Sequence, residues 1–441
     1  MSRLAIFGGP PQRTKPFPSW PAFDENEEQA LLEILRSGQW WRYSYGEAVE
    51  ATAPEAGQPR SKVAEFQQAF ARFQGARYGI ACANGTAALE VALKALGVGP
   101  GDEVIVPPYT FIATASAVLI LNAVPIFADI EHETFNIAPH RLEEAITART
   151  KAIIPVHFAG QAADMDSLLN IAQRHNLMIV EDAAHAHGAT WKGRGLGSIG
   201  HAGTFSFQAS KNMTAGEGGL ITANDRDLAE LCESYIWGGR KIDKPWYEYY
   251  RLGWNYRMTE FQGAILLQQL KRLPAQNAKR RENARYLDAR LSKLPGIYPL
   301  CVREFASGHS HHLYIFRFSE QEFGVSRSDF LAALLAEGIS CQAGYAHPLY
   351  KNPMFLRKDF YPRGCPLTCG HYGPAVDYAS FEALCPNAER ACREAVWLEH
   401  RQLLAEREDM DDIVHAIEKI HEHRLDFSGA NVAGTGSATS S

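Results

Sequence analysis

Thr204-Phe-Ser-Phe-Gln-Ala-Ser-Lys-Asn-Met-Thr-Ala-Gly-Glu-Gly-Gly219 is the stretch on which the fold turns. Two apolar, strand-like pieces, Gly203–Phe207 and Gly219–Thr222, bracket it, and Lys211 is the only lysine between them. A lysine enclosed by a fold tends to lose its proton, because burial disfavours the ammonium form. The neutral amine that results can attack a carbonyl carbon. Ser206 precedes it in a Ser-x4-Lys spacing, and a glycine-rich return follows it.

Upstream of this stretch, short apolar runs alternate with helical patterns. Strands are expected at Tyr78–Ala83, Glu103–Val106, Val124–Asp129, Lys151–His157 and Leu177–Glu181. Helices are expected between them at Thr86–Leu96, Ile112–Leu121, Pro139–Ile146 and Met165–His175. That rhythm means parallel strands joined by helical crossovers, and the continuous apolar runs suit strands covered on both faces. Before it, Asp24 and Glu27 form a capping box opening a helix that Gly38 closes, and an amphipathic Val63–Phe73 ends at Gly75.

Past Gly219 helices dominate: Asp225–Trp237, Thr259–Leu273, Ala278–Lys293, then Ser326–Glu337, Asn387–Leu398 and Asp409–His421, with one strand at His312–Phe318. The expected organisation is an N-terminal arm, helix and variable loop over 1–60, a large α/β domain over 61–275 and a smaller α+β domain over 276–424. A small, polar tail over 425–441 is expected to be disordered. The loop Tyr43–Arg60, with two prolines and two glycines, is expected to be mobile.

A net charge of −6 argues against a general affinity for nucleic acid or an anionic membrane surface. The N-terminus lacks the apolar core of a secretory signal, and the eight cysteines show no framework spacing, so reduced thiols in a cytoplasm are expected. Cys365 with Cys369, and His309, His311 and His312, lack a second ligand pair at a zinc-finger spacing, and no metal is expected.

Three strand-to-helix junctions carry chemistry. In an open parallel sheet, ligands sit at the carboxyl ends of strands and the amino ends of helices. Asn84-Gly-Thr-Ala-Ala-Leu89 falls at one such junction, where Gly85 admits close backbone approach to an anion and Thr86 adds a hydroxyl. A tight turn with Thr86 as N-cap accounts for it equally. Pro107-Pro-Tyr-Thr-Phe-Ile112 offers Tyr109 or Phe111 to stack on a planar ring or to pack on the sheet edge. Asp182, in Glu181-Asp-Ala-Ala-His-Ala-His-Gly188, can pair with a protonated heterocyclic nitrogen or cap a helix. No Gly-x-Gly-x-x-Gly follows the first strand, which disfavours a dinucleotide-binding dehydrogenase.

Phosphate loop, aromatic loop, strand-end Asp and Ser-x4-Lys, in that order, follow the logic of a fold-type I pyridoxal-phosphate (PLP) enzyme. From about residue 15 to 423 the chain resembles the DegT/DnrJ/StrS sugar aminotransferases. The resemblance is carried by the segments above together with Gly101-Asp-Glu-Val-Ile-Val-Pro107, Pro155-Val-His-Phe-Ala-Gly160 and Gly253-Trp-Asn-Tyr-Arg-Met-Thr-Glu-Phe-Gln262. It implies an aspartate aminotransferase-like fold with a mostly parallel seven-stranded sheet in the large domain.

The resemblance also implies roles. Lys211 forms the Schiff base with PLP and shuttles the proton, Asp182 keeps the pyridine nitrogen protonated and Phe111 stacks on the ring. Gly85, Thr86 and Ser206 bind the phosphate. His185 stands where many relatives have a glutamine near the phenolic oxygen. Asn255 reaches the phosphate of a partner subunit, making a homodimer with shared active sites, and Gly239 and Arg240 fall where intersubunit contacts are common. Dehydratases of this group carry histidine at the Lys211 position, so lysine favours amino transfer.

Gly38-Gln-Trp-Trp-Arg42, and Cys385-Pro-Asn-Ala-Glu389 with Trp397-Leu-Glu-His-Arg-Gln-Leu-Leu404, resemble the branch containing scyllo-inosose aminotransferases and 3-amino-5-hydroxybenzoate synthases, a branch tied to antibiotic biosynthesis. The expected reaction moves an amino group from glutamine or glutamate to a keto group of a cyclitol or keto-sugar, ping-pong through pyridoxamine phosphate. The alternative is a dehydrating, aromatising enzyme of the aminohydroxybenzoate type; a non-catalytic scaffold is disfavoured because the Lys and Asp are both present. Trp40, Trp41, His157, Arg240 and His347 are candidate substrate contacts, with burial at the domain interface the other reading for the two tryptophans.

Overall fold

The computed structural model describes residues 2–50, 59–368 and 370–427. Its strands are β1 (Tyr78–Cys82), β2 (Glu103–Val106), β3 (Val124–Phe127), β4 (Thr150–Ile153), β5 (Met178–Asp182), β6 (Ala202–Ser206), β7 (Gly219–Ala223), β8 (Ile297–Pro299), β9 (Leu313–Phe318) and β10 (Ala395–Glu399), with a two-residue hairpin pair at 190–195 set aside. The longer helices are α1 (Glu25–Ser37), α2 (Lys62–Gln74), α3 (Gly85–Ala95), α4 (Ala113–Ile120), α5 (Met165–His175), α6 (Arg226–Ile236), α7 (Glu260–Leu291), α8 (Arg327–Ala336), α9 (Pro386–Glu394) and α10 (Arg407–Glu422).

The first seven strands form one sheet in the order β1-β7-β6-β5-β4-β2-β3, in which only β7 runs against the rest. Its strands are buried almost throughout, as their unbroken apolar runs require. Helices cover both faces, with Val91 and Val118 in the core on one side and Phe66, Phe70 and Leu168 in the core on the other. The second sheet, β8-β9-β10, is antiparallel and packs on α7, α8 and α10 through Phe316, Phe330 and Ile413.

The expected helix Asn387–Leu398 splits. Pro386 opens α9, whose N–H groups at Asn387 and Ala388 donate to the Asp129 carboxylate at 3.0 Å each. The chain then turns extended, and Ala-Val-Trp-Leu-Glu pairs with β9 from Arg317↔Ala395 to Leu313↔Glu399. A valine and a tryptophan beside a waiting strand edge outweigh the helical pattern there.

The two helices expected at Thr259–Leu273 and Ala278–Lys293 are one, α7, with Pro274 inside it. A proline removes one helical hydrogen bond and costs about 3 kcal/mol. Burial on both sides of it, at Leu266, Gln269 and Leu273 and at Asn277, Arg280 and Asn283, holds the helix through. The boundary expected near residue 275 lies within this helix, and Tyr350, Phe355, Tyr378 and Phe381 pack into the core of the first sheet.

The beginning of the Tyr43–Arg60 loop is packed rather than loose. Tyr43 is buried and its hydroxyl donates to Glu233 at 2.7 Å, as does the Gly46 N–H at 2.9 Å. Residues 51–58 of that loop, Cys369 and the 428–441 part of the expected tail lie outside the described residues. Among the described residues no helix is long and apolar enough to cross a membrane.

Candidate active site

The carboxyl ends of β1, β2, β5 and β6 open into a cavity of about 1120 Å³, closed on its far side by segments of the second sheet. Asn84, after β1, caps α3 by accepting the Ala87 N–H at 2.8 Å, so the N-cap is Asn84 and not Thr86. The first N–H groups of α3, at Gly85 and Thr86, have no intrahelical acceptor and form the positive end of the helix dipole. Ser206, at the end of β6, lies against them so closely that a Cβ on Gly85 would stand 2.7 Å from the Ser206 Cβ. Only glycine permits that approach. The result is a cradle of N–H and O–H donors suited to a phosphate.

Asp182 ends β5. Its carboxylate accepts from the Thr114 hydroxyl at 2.9 Å and from the Ala184 N–H at 3.2 Å. Burial pushes it above the usual carboxylate range, while those two bonds and the charge of Lys211 pull it back. Lys211 lines the same cavity; burial lowers its ammonium to about 8, against the pull of Asp182. A substantial neutral fraction near neutral pH follows.

His185 also lines the cavity, stacked on His312 with ring centroids 4.1 Å apart. Its Nδ1 is buried without a hydrogen-bond partner, and burial with the charge of Lys211 keeps the ring well below its usual pKa. A buried orphan nitrogen beside a reactive amine is an open position for a ligand atom. Phe111, 58% exposed, lines the cavity, whereas Tyr109 is buried among Phe135, Phe158 and Tyr345.

Gly85, Thr86, Phe111, Asp182, His185, Ser206 and Lys211 therefore meet in one cavity. Anion cradle, apolar ring face, carboxylate, orphan imidazole nitrogen and amine fit the phosphate, ring, pyridine nitrogen, phenolic oxygen and aldehyde of PLP. Asn255 is exposed and outside the cavity of its own chain.

The candidate substrate contacts fare differently. His157 is fully buried: its Nε2–H donates to Glu181 at 2.8 Å and its Nδ1 accepts the Ala163 N–H at 3.2 Å, so it is a satisfied structural histidine. Trp41 packs on Trp237 and Trp40 on Phe261, both half-exposed and away from the cavity. Arg240 lies over Trp237 and Trp246, and His347 is exposed; neither lines the cavity.

Sequence reasoning missed Trp20, Glu90, Tyr256, Gln342, Tyr345, His400 and Arg401, which do line it. His312, the first residue of the strand expected over His312–Phe318, belongs to the same wall. These positions come from segments far apart in the chain, and no local spacing announces them.

A model of the DegT/DnrJ/EryC1/StrS aminotransferase family matches residues 55–376. The L-glutamine:2-deoxy-scyllo-inosose aminotransferase of Streptomyces fradiae is 38% identical over 445 residues, covering 97% of this chain and 100% of that protein. Among solved structures, 3-amino-5-hydroxybenzoic acid synthase aligns with a TM-score of 0.80 at 34% identity, over 93% of this chain and 100% of that one. NtdA of Bacillus subtilis, solved with bound cofactor PMP, aligns with a TM-score of 0.71 at 27% identity, over 90% and 82%.

Proposed function

The chain belongs to the DegT/DnrJ/EryC1/StrS aminotransferase family, with fold type I and PLP as cofactor, and on that premise we propose that it aminates a keto-cyclitol with glutamine as donor. Glutamine and a 2-deoxy-scyllo-inosose are what the similar Streptomyces fradiae enzyme is named for, and that likeness spans nearly the whole chain. The observation that carries the reading is the meeting of Lys211, with its amine lowered to about 8, and Asp182 in one cavity.

When bound, PLP supplies the carbonyl that takes up the donor's amino group and the electron-poor ring that stabilises charge beside it. The α3 N–H groups with Ser206 would hold the phosphate, and Phe111 would flank the ring. Asp182, held by Thr114 and Ala184, would be the partner of the protonated ring nitrogen. Lys211 moves the proton, a role in which a positioned base is worth about 10²–10⁴ in rate. A homodimer completes the site, with Asn255 of each copy serving the other; exposed Trp246, Tyr247 and Leu252 supply apolar area for that interface. The compartment proposed is the cytoplasm.

The test is a pair of half-reactions. L-Glutamine should convert the yellow enzyme to its amino form, and a keto-cyclitol should restore it. Lys211→Ala should abolish borohydride fixation of the cofactor. A purified wild type that takes up no PLP sinks the reading. The likeness to 3-amino-5-hydroxybenzoic acid synthase favours a second reading, in which an aromatic product absorbing in the ultraviolet appears instead.

A further inference from the structure

The loop that carries Lys211 is held by ring N–H groups. Along it, the Ser206 carbonyl accepts from His187 Nε2 at 2.9 Å, and the Ala209 carbonyl from Trp20 Nε1 at 3.0 Å. Next, the Ser210 carbonyl accepts from His400 Nε2 at 3.1 Å, and Asn212 Oδ1 from His312 Nδ1 at 3.0 Å. The Asn212 amide is itself oriented by donating to the Ser310 carbonyl at 2.8 Å. Every one of these acceptors is an oxygen that cannot donate, so each ring nitrogen must carry the hydrogen.

A neutral imidazole carries one hydrogen, so the other nitrogen of His400, Nδ1, is an acceptor. Its donor is Arg280 on α7, at 3.1 Å. The other hydrogen-bonding arm of Arg280 donates to Asn277 Oδ1 at 2.9 Å, and the Asn277 amide donates to the His187 carbonyl at 2.8 Å. Arg280 is 0% exposed and, among the described residues, meets no carboxylate; its guanidinium lies 5.6 Å over the Trp20 ring. Burial lowers it to about 9. A buried charge without a counter-ion is costly, and an apolar side chain of similar volume would fill the space more cheaply. Packing alone gives no reason for an arginine here.

We propose that Arg280 is a positioning residue for the Lys211 loop, fixing through His400 and Asn277 the ring donors that hold the carbonyls of Ser210 and Ser206. A guanidinium only donates, so Arg280 sets the tautomer of His400 in one branch and, in the other, the orientation of the Asn277 amide that holds the His187 backbone carbonyl. Burial keeps His187 at about 3 and His312 and His400 well below the ordinary range, so the tautomers persist at working pH. The kinetic part of the inference rests on Lys211 as the reactive amine; the structural part does not.

The test is hydrogen exchange on the full-length purified enzyme, with steady-state kinetics alongside. Arg280→Met should speed exchange in peptides spanning 206–213 by about tenfold, the protection one hydrogen bond supplies, and leave β9 peptides unchanged. It should lower kcat by roughly 10–100-fold with KM for both substrates within about twofold, as a misplaced group does. Arg280→Lys, which keeps a cationic donor, should recover most of both. His400→Phe keeps the ring without its N–H and should reproduce the 206–213 signature, which preserves the test if Arg280→Met does not fold. Exchange in 206–213 equal to wild type, or rising equally in β9, overturns the proposal. Faster local exchange with unchanged kcat upholds the clamp and overturns its kinetic part, while the identity of Lys211 as the amine is read separately by borohydride fixation.

Discussion

Titrating Lys211 in the cofactor-free chain tests the electrostatics of the site directly. Its ammonium is lowered from 10.5 to about 8, first by burial and against the opposing charge of Asp182. At pH 7.5 about a quarter of it is neutral, against roughly one part in a thousand for an ordinary lysine, so it should react with an acylating reagent roughly 200-fold faster per unit nucleophilicity. The cavity admits a small reagent. Competitive acylation followed by mass spectrometry, run from pH 6 to about 11, reads each lysine against the others. Lys211 should show a midpoint near 8 and the surface lysines near their usual value. Asp182→Asn removes the one charge that supports the ammonium and should move the midpoint lower still. The shift is also a stability term. Because the folded amine binds its proton less tightly than the unfolded one, the apo chain gains stability as pH rises from about 8 to 10.5, by an upper bound of roughly 3 kcal/mol. A Lys211 midpoint at the ordinary lysine value, or an upward move in Asp182→Asn, would refute the reasoning.

Gly85→Ala forces a Cβ to within 2.7 Å of the Ser206 Cβ; overpacking of about 1–3 kcal/mol should separate α3 from Ser206 and weaken PLP retention, measured by cofactor release on dialysis. Thr114→Val removes the hydroxyl that donates to buried Asp182, and turnover should fall by about tenfold or more with the chain still folded, consistent with about 1.5–3 kcal/mol for a bond to a charged group. Glu181→Ala should lower stability by about 3–5 kcal/mol in denaturant melts, because it strands the N–H groups of Gly197, Ile199 and Gly200 and the ring of His157.

The seven-stranded sheet was legible because each of its strands is a local apolar run, and the residues that meet in the cavity because they sit at strand ends where such a sheet opens. Lys211, Asp182, Ser206 and Gly85 could be placed from order alone. Elements decided by distant partners could not. Ala395–Glu399 is a strand because β9 offers it an edge, and α7 continues through Pro274 because both halves are buried. The same limit explains His157 and His400. One is consumed by Glu181 and the other holds the lysine loop, yet nothing in the residues beside either histidine in sequence names its partner.

The place of β1 in the sheet has a consequence in time. Among the described residues it lies at an edge and pairs only with β7, from Tyr78↔Ala223 to Cys82↔Gly219. During synthesis about 145 residues separate the two strands, so at ribosomal speed β1 waits roughly 7–30 s for its only partner. Through that interval Ile80 and Cys82, both fully buried in the finished sheet, belong to an unpaired apolar edge. Slowing translation between Cys82 and Gly219 should therefore cost yield of soluble protein, while slowing it after Ala223 should not.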